Sequence, residues 1–439
     1  MIGGVPLLLR SCVKEIPIDE IEPGDVLVHN DPYRGGLHCP EHTLIKPVFV
    51  DDELMGFAMT IGHLAEIGGM VPGAFAGEAT EIFHEGIRVP PVKIKSRGED
   101  VEEVWKLLLA NVRTPRYNYG DLRALIAGVD VGEARLQNMV KKYGKEAFQK
   151  NVSDLLDYSE SRMRAEIKSI PDGKYTFEDV IEDDGIEKKP FTIHTNVYVQ
   201  GDEVVVDYTG STEQAKGPIN ATLGVAYSAS YNGILHCTDD TIPKNSGCFR
   251  PIKVIAPPGT ILNVDFPAPE VGGNTETHCK IAGTVIGALS TPLPEKTMAA
   301  EGATHTNFVF GGYDSAADEA FVCYAIELSG WGGRSFADGN DATDSINGNC
   351  RVIPVEVFET RFPLQCEKFE LVQDSGGAGL HRGGLSTTRV IKSTSTEITG
   401  SQMSDRHANR PWGLYGGQPG GTAGTWFSPA NSDDWQGID

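Results

Sequence analysis

Residues 24–69 read GDVLVHNDPYRGGLHCPEHTLIKPVFVDDELMGFAMTIGHLAEIGG, and this stretch decides how the first part of the chain folds. The short apolar segment Asp25 to His29 is typical of a strand, and Asn30-Asp31-Pro32 ends it at a turn. Two longer apolar segments lie on either side of Asp51-Asp52, a pair that is typical of a hairpin turn. The stretch therefore predicts a β-rich unit with short connecting loops.

The same stretch contains a repeated His-x-x-acid pattern. His38 is followed by Glu41, and His63 is followed by Glu66. Imidazole nitrogens suit Zn, Fe or Mn, and carboxylates suit harder ions, so the four side chains together suit a divalent metal with an open position for water. On spacing alone, the alternative is that the two histidines are unrelated core or surface residues.

The motifs in this stretch resemble the B component of the ATP-dependent hydantoinase family, which includes 5-oxoprolinases, N-methylhydantoinases and the large subunits of acetone and acetophenone carboxylases. The family pattern is NDPY-x-GG-x-H-x-P-D, then GH-x-x-D-x-GG, then EGLR-x-PP. The matching residues here are Asn30 to Tyr33, Gly35-Gly36, His38, Pro40-Glu41, Gly62-His63, Glu66, Gly68-Gly69 and Glu85 to Pro91. Weaker matches continue to Pro411-Trp412-Gly413, so the resemblance covers nearly the whole chain.

The resemblance implies that His38, Glu41 and His63 hold a divalent metal ion, Zn, Mn or Fe. Glu41 and Glu66 stand where the family pattern has aspartate, and a glutamate reaches one methylene further. The family's N-terminal Arg-Asp-Phe-Ser-type segment, whose aspartate is expected to reach the same metal, is not found in this chain, and neither is its C-terminal run of glycines. We therefore expect a fragment, a site one ligand short, or a second chain that supplies the fourth ligand.

Composition limits the classes of partner. Lys and Arg number 38 against 61 Asp and Glu, which gives a net charge of −23. Such a chain repels nucleic acid and anionic lipid, and it suits contact with a more basic subunit, although acidity also serves solubility. The scattered cysteines contain no Cys-x-x-Cys pair, and no apolar segment reaches the roughly 18 residues of a membrane helix. These features predict a cytoplasmic protein.

The pattern of apolar residues predicts a multidomain α+β fold, strand-rich with a central helical region. Residues 1–98 are predicted to be β-rich and to carry the metal motif, and residues 99–170 to be helical, with a break at Tyr143-Gly144. Residues 171–270 are predicted to be β-rich and residues 271–439 a glycine-rich α+β region. The helical region either packs on its own domain, which amphipathic stripes usually do, or forms a subunit interface.

Two residues further along the chain are candidates for binding substrate. Asn274 precedes an expected helix from about Thr275 to Leu289, where it is predicted to act as the cap. The free amides at that helix start could hold an anion, although a plain capped helix is the preferred interpretation. Arg382, in the glycine-dense segment 374–384, could clamp a carboxylate or phosphate, or simply brace a turn. That segment lacks the Lys-Ser/Thr of a phosphate-binding P-loop.

Together these observations predict the metal-binding subunit of an ATP-dependent hydantoinase or oxoprolinase-type hydrolase. The resemblance implies a hydantoinase A-type partner that binds ATP and phosphorylates a cyclic amide, so that the chain works in a hetero-oligomer. Glu66 is predicted to orient His63 or to act as the catalytic base. The alternatives are a subunit of an ATP-dependent ketone carboxylase that uses bicarbonate, and a non-catalytic scaffold or truncated relative.

Overall fold

The structure is a computed structural model that describes residues 3–395, 397–429, 432 and 434–438. Its helices are α1 Val5–Glu15, α2 Glu102–Ala110, α3 Pro115–Tyr143, α4 Lys145–Lys168, α5 Leu223–His236, α6 Ser246–Phe249, α7 Thr277–Ser290 and α8 Val355–Arg361. Its strands are β1 Val26–His29, β2 Glu41–Val50, β3 Glu53–His63, β4 Val92–Ser96, β5 Glu99–Asp100, β6 Gly173–Ile181, β7 Phe191–Gln200, β8 Glu203–Asp207, β9 Ile252–Ile255, β10 Asn307–Asp314, β11 Glu319–Ile326, β12 Leu364–Leu371, β13 Thr387–Ser393, β14 Ile398–Met403, β15 Trp426–Phe427 and β16 Gln436–Gly437.

The first sheet has five antiparallel strands in the order β3-β2-β1-β4-β5. Strand β1 is central and fully buried, which explains why it reads as a continuous apolar segment rather than an alternating one. Helix α3 packs across β2 and β3, with Gly128 and Gly132 facing Thr60 and Ala58. A methyl group at Gly128 would lie 2.8 Å from the Thr60 side chain, so glycine permits this close approach.

The central helical region is confirmed as α2, α3 and α4, with the break between the last two at Gly144. Helix α3 begins at Pro115, and proline suits the first helical position because it has no amide hydrogen to leave unpaired. Its apolar stripe, Leu122, Ile126 and Val129, is buried against the first sheet. This is the packing on its own domain that amphipathic stripes usually show.

The second sheet has the order β6-β7-β8-β9, and its last pair is parallel. A parallel pair needs a long crossover, and α5 and α6 lie in the segment that connects β8 to β9. Helix α7 packs on β6, β7 and α5 and is buried along almost its whole length. The remaining strands form a three-stranded sheet β11-β10-β14 and the pairs β12–β13 and β15–β16.

The α+β prediction, with a central helical region, is confirmed, and the four domain bounds stay predictions. The prediction that Asn274 caps the helix after it is wrong. The position before the first turn of α7 is Glu276, its side chain makes no capping hydrogen bond, and a short 3-10 turn at Val271–Gly273 precedes it. Within the part of the chain that the structure describes, none of the helices combines the length and apolar character needed to cross a bilayer.

Candidate functional site

The β2–β3 hairpin brings two of the predicted metal ligands side by side. Its turn residues, Asp51 and Asp52, both have positive φ angles, 50° and 62°, as the tight hairpin turn requires. The register shifts by one residue between Val48 and Phe49, and beyond this shift Glu41 pairs directly with His63, at the end of the hairpin opposite the turn. Side chains of directly paired residues point to the same face of a sheet, so the register places this carboxylate beside this imidazole.

His38 reaches the same place from the loop between β1 and β2. Its side chain is buried, its Nδ1 lies 3.5 Å from Glu41 Oε2, and its ring centroid is 5.1 Å from that of His63. The structure therefore brings together His38, Glu41 and His63, the three residues predicted to bind a metal. We call these three residues, with their immediate neighbours, the histidine site.

The Asn-Asp-Pro-Tyr motif before His38 has a structural role. Asn30 donates from Nδ2 to the carbonyls of Cys39 and Ile87, at 2.7 and 2.9 Å, and its Oδ1 accepts from the Val89 amide at 2.6 Å. Asp31 accepts from the Tyr33 amide and so begins a short 3-10 turn. The bonds of Asn30 attach the loop that carries His38 to the segment before β4.

His63 is enclosed by aromatic rings and is still accessible to solvent. Phe75 stacks at 6.0 Å and Tyr324 lies at 4.9 Å, both measured between ring centroids. Desolvation by the protein groups around the ring, together with the neighbouring His38 and His42 rings, lowers the pKa of His63 well below its usual range. The imidazole is therefore neutral at pH 7, which is the form that binds metals.

Asn274 lies at the histidine site, although it does not cap a helix. Its Nδ2 is 3.1 Å from His38 Nδ1, and its Oδ1 is 3.4 Å from His278 Nδ1. Both polar ends of the amide are thus occupied by histidines, and its role in substrate binding stays a prediction. His278 was missed from the sequence; the only signal was its position four residues after Asn274, one helical turn away.

Glu66 holds the loop that follows β3. Its carboxylate accepts from the amides of Gly68, at 2.5 Å, and Gly73, at 2.9 Å, and from the Arg113 guanidinium at 3.0 Å. The side chain is fully buried. This arrangement favours a role in orienting the segment around His63 over a role as catalytic base, because its lone pairs are already engaged. Both roles stay predictions.

We expect Glu66→Gln to lower the free energy of unfolding by about 1–3 kcal/mol. Every partner of the carboxylate is a donor, so the amide of glutamine would place its own N–H groups against at least one of them. Urea denaturation measures the change. The matched control is Glu81→Gln, which alters a half-exposed glutamate whose carboxylate lies 3.6 Å from His84 Nε2 and should leave the midpoint unchanged. Equal stability of Glu66→Gln and wild type would contradict this account.

Arg382 lies in the glycine-dense region. It donates to Asp341 Oδ1 at 2.9 Å and to the Gly383 carbonyl at 2.8 Å, contacts that brace a turn. Among the described residues, its polar contacts include none with the histidine site. Its role in substrate binding stays a prediction, and the turn-bracing alternative accounts for its observed contacts.

The glycines of this region are explained by close backbone packing. A methyl group at Gly330 would lie 2.0 Å from the Gly384 carbonyl oxygen, and one at Gly376 would lie 2.1 Å from the Gly383 carbonyl oxygen. The region also encloses a cavity of about 290 Å³, whose walls include Trp331 and Trp412. None of the six predicted site residues lines this cavity, so it is separate from the histidine site.

A pair of buried carboxyl groups lies next to the histidine site. Glu85 Oε1 accepts from the amides of Glu270 and Val271, at 2.7 and 2.9 Å. Burial raises the pKa of Glu85 to about 8, and burial and the repulsion from Glu85 raise the pKa of Glu270 well above its usual range. The pair therefore keeps at least one proton at neutral pH, since two adjacent buried carboxylates cannot both ionise.

This pair gives a pH-dependent prediction. The folded protein holds a proton that the unfolded chain releases near pH 4.5, so the free energy of unfolding should fall as the pH rises from about 5 to 8. Glu270→Gln removes the repulsion and should weaken this dependence. Urea denaturation of wild type and variant at pH 5.5 and 8 measures it. Parallel pH dependence in both proteins would show that the pair is not the cause.

The residues present fit a divalent metal. His38 Nε2 is buried and has no hydrogen-bond partner among the described residues, as expected of a nitrogen that is free to bind a ligand. The 3.5 Å between His38 Nδ1 and Glu41 Oε2 is long for a hydrogen bond. In the ranges that the structure describes, no group of three or more His, Cys, Asp or Glu side chains is arranged so that it could hold a metal ion as it stands. The donor set is of the right chemistry, and metal binding stays a prediction.

Comparison with known proteins places this chain in a family. The family profile described as Hydantoinase B/oxoprolinase matches residues 1–437. The chain belongs to the hydantoinase B/oxoprolinase family. It is 34% identical over 435 residues to a putative B component of a D-/L-hydantoinase from Pseudomonas sp. strain NS671, covering 95% of this chain and 72% of that protein. The family resemblance of the sequence motifs is thus confirmed.

Two solved structures of similar proteins share the fold. The crystal structure of ATP-dependent caprolactamase from Pseudomonas jessenii matches with a TM-score of 0.85 and 32% identity, over 89% of this chain and 68% of that one. Acetone carboxylase in its nucleotide-free form matches with a TM-score of 0.89 over 97% of this chain and 58% of that one, at 20% identity. The carboxylase likeness therefore concerns the fold alone. The hydantoinase B/oxoprolinase family includes an ATP-dependent hydrolase of a cyclic amide.

Proposed function

We propose that this chain is the metal-binding subunit of an ATP-dependent enzyme that hydrolyses a cyclic amide, and that His38, Glu41 and His63 hold the metal. The observation that carries the proposal is the convergence of these three side chains at the open end of the β2–β3 hairpin. The identity of 34% to a hydantoinase component and 32% to a caprolactamase supports amide hydrolysis over ketone carboxylation.

The chemistry of the histidine site fits this reaction. A divalent ion bound there would lower the pKa of a coordinated water to near 7 and so provide a nucleophile for an amide carbonyl. His63 is neutral and can donate its lone pair, and Glu41 offers the negative charge that a dication needs. Phe75 and Tyr324 form an apolar wall beside His63, which suits the hydrocarbon part of a lactam or imide ring.

ATP would act on a partner chain. No P-loop motif occurs in this sequence, and the hydantoinase relative is itself named as one component of a multi-subunit enzyme. We propose a hydantoinase A-type partner that activates the cyclic amide by phosphorylation before the amide reaches the histidine site. The net charge of −23 favours a partner with a basic contact surface.

The decisive experiment is an assay of the chain co-purified with its A-type partner. One set of mixtures receives ATP and a cyclic amide: a hydantoin, 5-oxoproline or caprolactam. A second set receives ATP and a ketone with bicarbonate. The products measured are ADP and the ring-opened acid. We expect ATP-dependent ring opening after loading with Zn²⁺, Mn²⁺ or Fe²⁺. ATP hydrolysis that depends on ketone and bicarbonate would support the carboxylase alternative. No turnover and no metal, alone or in the complex, would support a scaffold.

A further inference from the structure

Helix α4 carries one apolar stripe, and only its second half is covered by the rest of the protein. The stripe consists of Phe148, Val152, Leu155, Met163 and Ile167, whose spacing in the sequence places them on one side of the helix. Met163 and Ile167 are fully buried in the main core, whereas Val152 is 45% exposed and Leu155 is 50% exposed. Phe148, one turn before Val152, is only partly buried. We call Phe148, Val152 and Leu155 the bare stripe.

Helix α6 meets α4 immediately after the bare stripe. A methyl group at Gly247, in α6, would lie 2.0 Å from the Leu156 carbonyl oxygen, so the two helices touch at this point. Asn245, which caps α6, donates from Nδ2 to Ser159 Oγ at 2.8 Å. The core of the protein thus begins to cover α4 at Leu156, and the apolar side chains in the turns before it stay about half exposed.

The exposed apolar surface extends to the end of α3. Met139 and Tyr143 lie in the last two turns of this helix, before the break at Gly144, and they are 47% and 57% exposed. Single exposed apolar residues are normal on a protein surface, but several within one short segment indicate a site of association. Residues 139–155, which contain the bare stripe, are therefore a candidate interface.

The charge of this segment differs from that of the rest of the chain. Residues 139–158 contain four lysines and three acidic residues, a net charge of +1, so the remainder of the chain carries −24. The charged residues of this half of α4 include Lys150 and Asp154, which pair with each other at 2.6 Å on the side away from the bare stripe. The positions that flank the bare stripe are uncharged: Ala147, Gln149, Asn151 and Ser153. Like charge therefore opposes the approach of two copies over most of the surface, but not at this segment.

We propose that the bare stripe is the contact between two copies of this chain, with α4 of one copy packed against α4 of the other about a two-fold axis. In such a contact the same surface is used twice, so apolar side chains meet apolar side chains and the uncharged flanks meet each other. A partner with a basic contact surface would be attracted to the acidic remainder of the chain instead. The dimer would form whether or not the histidine site holds a metal.

The test is the mass of the purified chain in solution, measured by sedimentation equilibrium. The contact is small, so we expect a reversible dimer with a dissociation constant of about 1–100 µM. The mass should rise from 47.4 kDa in dilute samples to twice that value in concentrated ones. The same measurement on the complex with the A-type partner should show two copies of this chain in each particle.

Charged substitutions at Val152 identify the surface. Val152→Lys and Val152→Glu each place like charges on both sides of the two-fold axis, and each should weaken dimerisation by about tenfold or more. An equal mixture of the two variants brings opposite charges together and should dimerise again, with one chain of each kind. Because Val152 is half exposed, neither variant should disturb the fold, and circular dichroism checks this.

The matched controls are Val131→Lys and Val131→Glu. Val131 is a similarly exposed valine on α3, outside residues 139–155, so both controls should dimerise like the wild type. A wild type that stays at 47.4 kDa in concentrated samples would overturn the inference. Full dimerisation of both Val152 variants would also overturn it, because the dimer would then use another surface. Loss of the A-type partner from complexes of the Val152 variants would assign the bare stripe to that partner and overturn it as well.

Discussion

His63→Ala is expected to abolish stoichiometric metal binding and to lower cyclic-amide turnover by about 10²-fold or more. Its imidazole is neutral, accessible and paired across the strands with Glu41, so alanine removes one of three proposed ligands and leaves the hairpin intact. A dication held by one imidazole and one carboxylate binds weakly, since protein metal sites need three or four ligands. Elemental analysis of the purified variant, alone and with the A-type partner, measures the loss.

The matched control for His63→Ala is His84→Ala. His84 is a partly exposed histidine whose Nδ1 accepts from the Thr80 amide, outside the histidine site, so its loss should change neither metal content nor turnover. About one ion per chain in wild type and in the control, but not in His63→Ala, is the expected pattern. Equal metal content in all three proteins would contradict the proposed ligand set.

The sequence predicted the hairpin that carries Glu41 and His63 because the information for a hairpin is local. Asp51-Asp52 specifies a tight turn, and the apolar segments around it specify two strands. The turn fixes the pairs next to it, and a one-residue register shift between Val48 and Phe49, which the sequence did not predict, then pairs Glu41 with His63. His38 is only three residues before the hairpin, so its loop cannot take it far away. Short-range chemistry therefore determined most of the proposed ligand set.

The rest of the site depends on packing between distant parts of the chain. Asn274 is 236 residues from His38, and it approaches because α7 is packed into the second sheet beside the first. No periodicity in the sequence indicates which face of a fully buried helix meets another element. The same limit explains why the cap predicted at Asn274 was wrong: its amide faces His278 one turn away and also His38, which only the tertiary fold brings there.

Glu66 belongs to the repeated His-x-x-acid motif, but the motif alone does not define the role of its carboxylate. The repeated His-x-x-acid pattern suggested that Glu41 and Glu66 are equivalent. The structure gives them different surroundings, because Glu41 lies within a strand beside an imidazole, whereas Glu66 lies in a loop whose amide groups point at it. A carboxylate takes the role that its nearest donors allow. Of the donors to Glu66, Gly68 belongs to the motif, whereas Gly73 and Arg113 do not.

Arg406→Ala is expected to lower the free energy of unfolding by about 3–5 kcal/mol, the largest stability loss that we expect from one substitution in this chain. The buried guanidinium donates to both oxygens of Asp179, at 3.0 and 2.7 Å, and to the Gly302 carbonyl at 3.1 Å. Lys280, also fully buried, lies 2.6 Å from Asp405 but 3.9 Å from Asp179. Alanine would therefore leave Asp179 as a buried charge with only a distant cation. Urea denaturation at pH 7 measures the loss.

Acid denaturation distinguishes this cause from simple loss of packing. Burial alone would raise the pKa of Asp179, but the charges of Lys280 and Arg406 lower it to about 2. The folded pKa lies below the unfolded value of about 3.9, so the stability it provides is complete above pH 4 and is lost as the pH falls toward 2. Without Arg406 the pKa of Asp179 should rise, and the loss of stability on acidification should begin at a higher pH.

Arg250→Ala, which breaks exposed ion pairs, should shift neither the urea midpoint nor the acid transition measurably. An acid transition of Arg406→Ala that coincides with the wild type would mean that the guanidinium stabilises the fold by packing rather than by its charge.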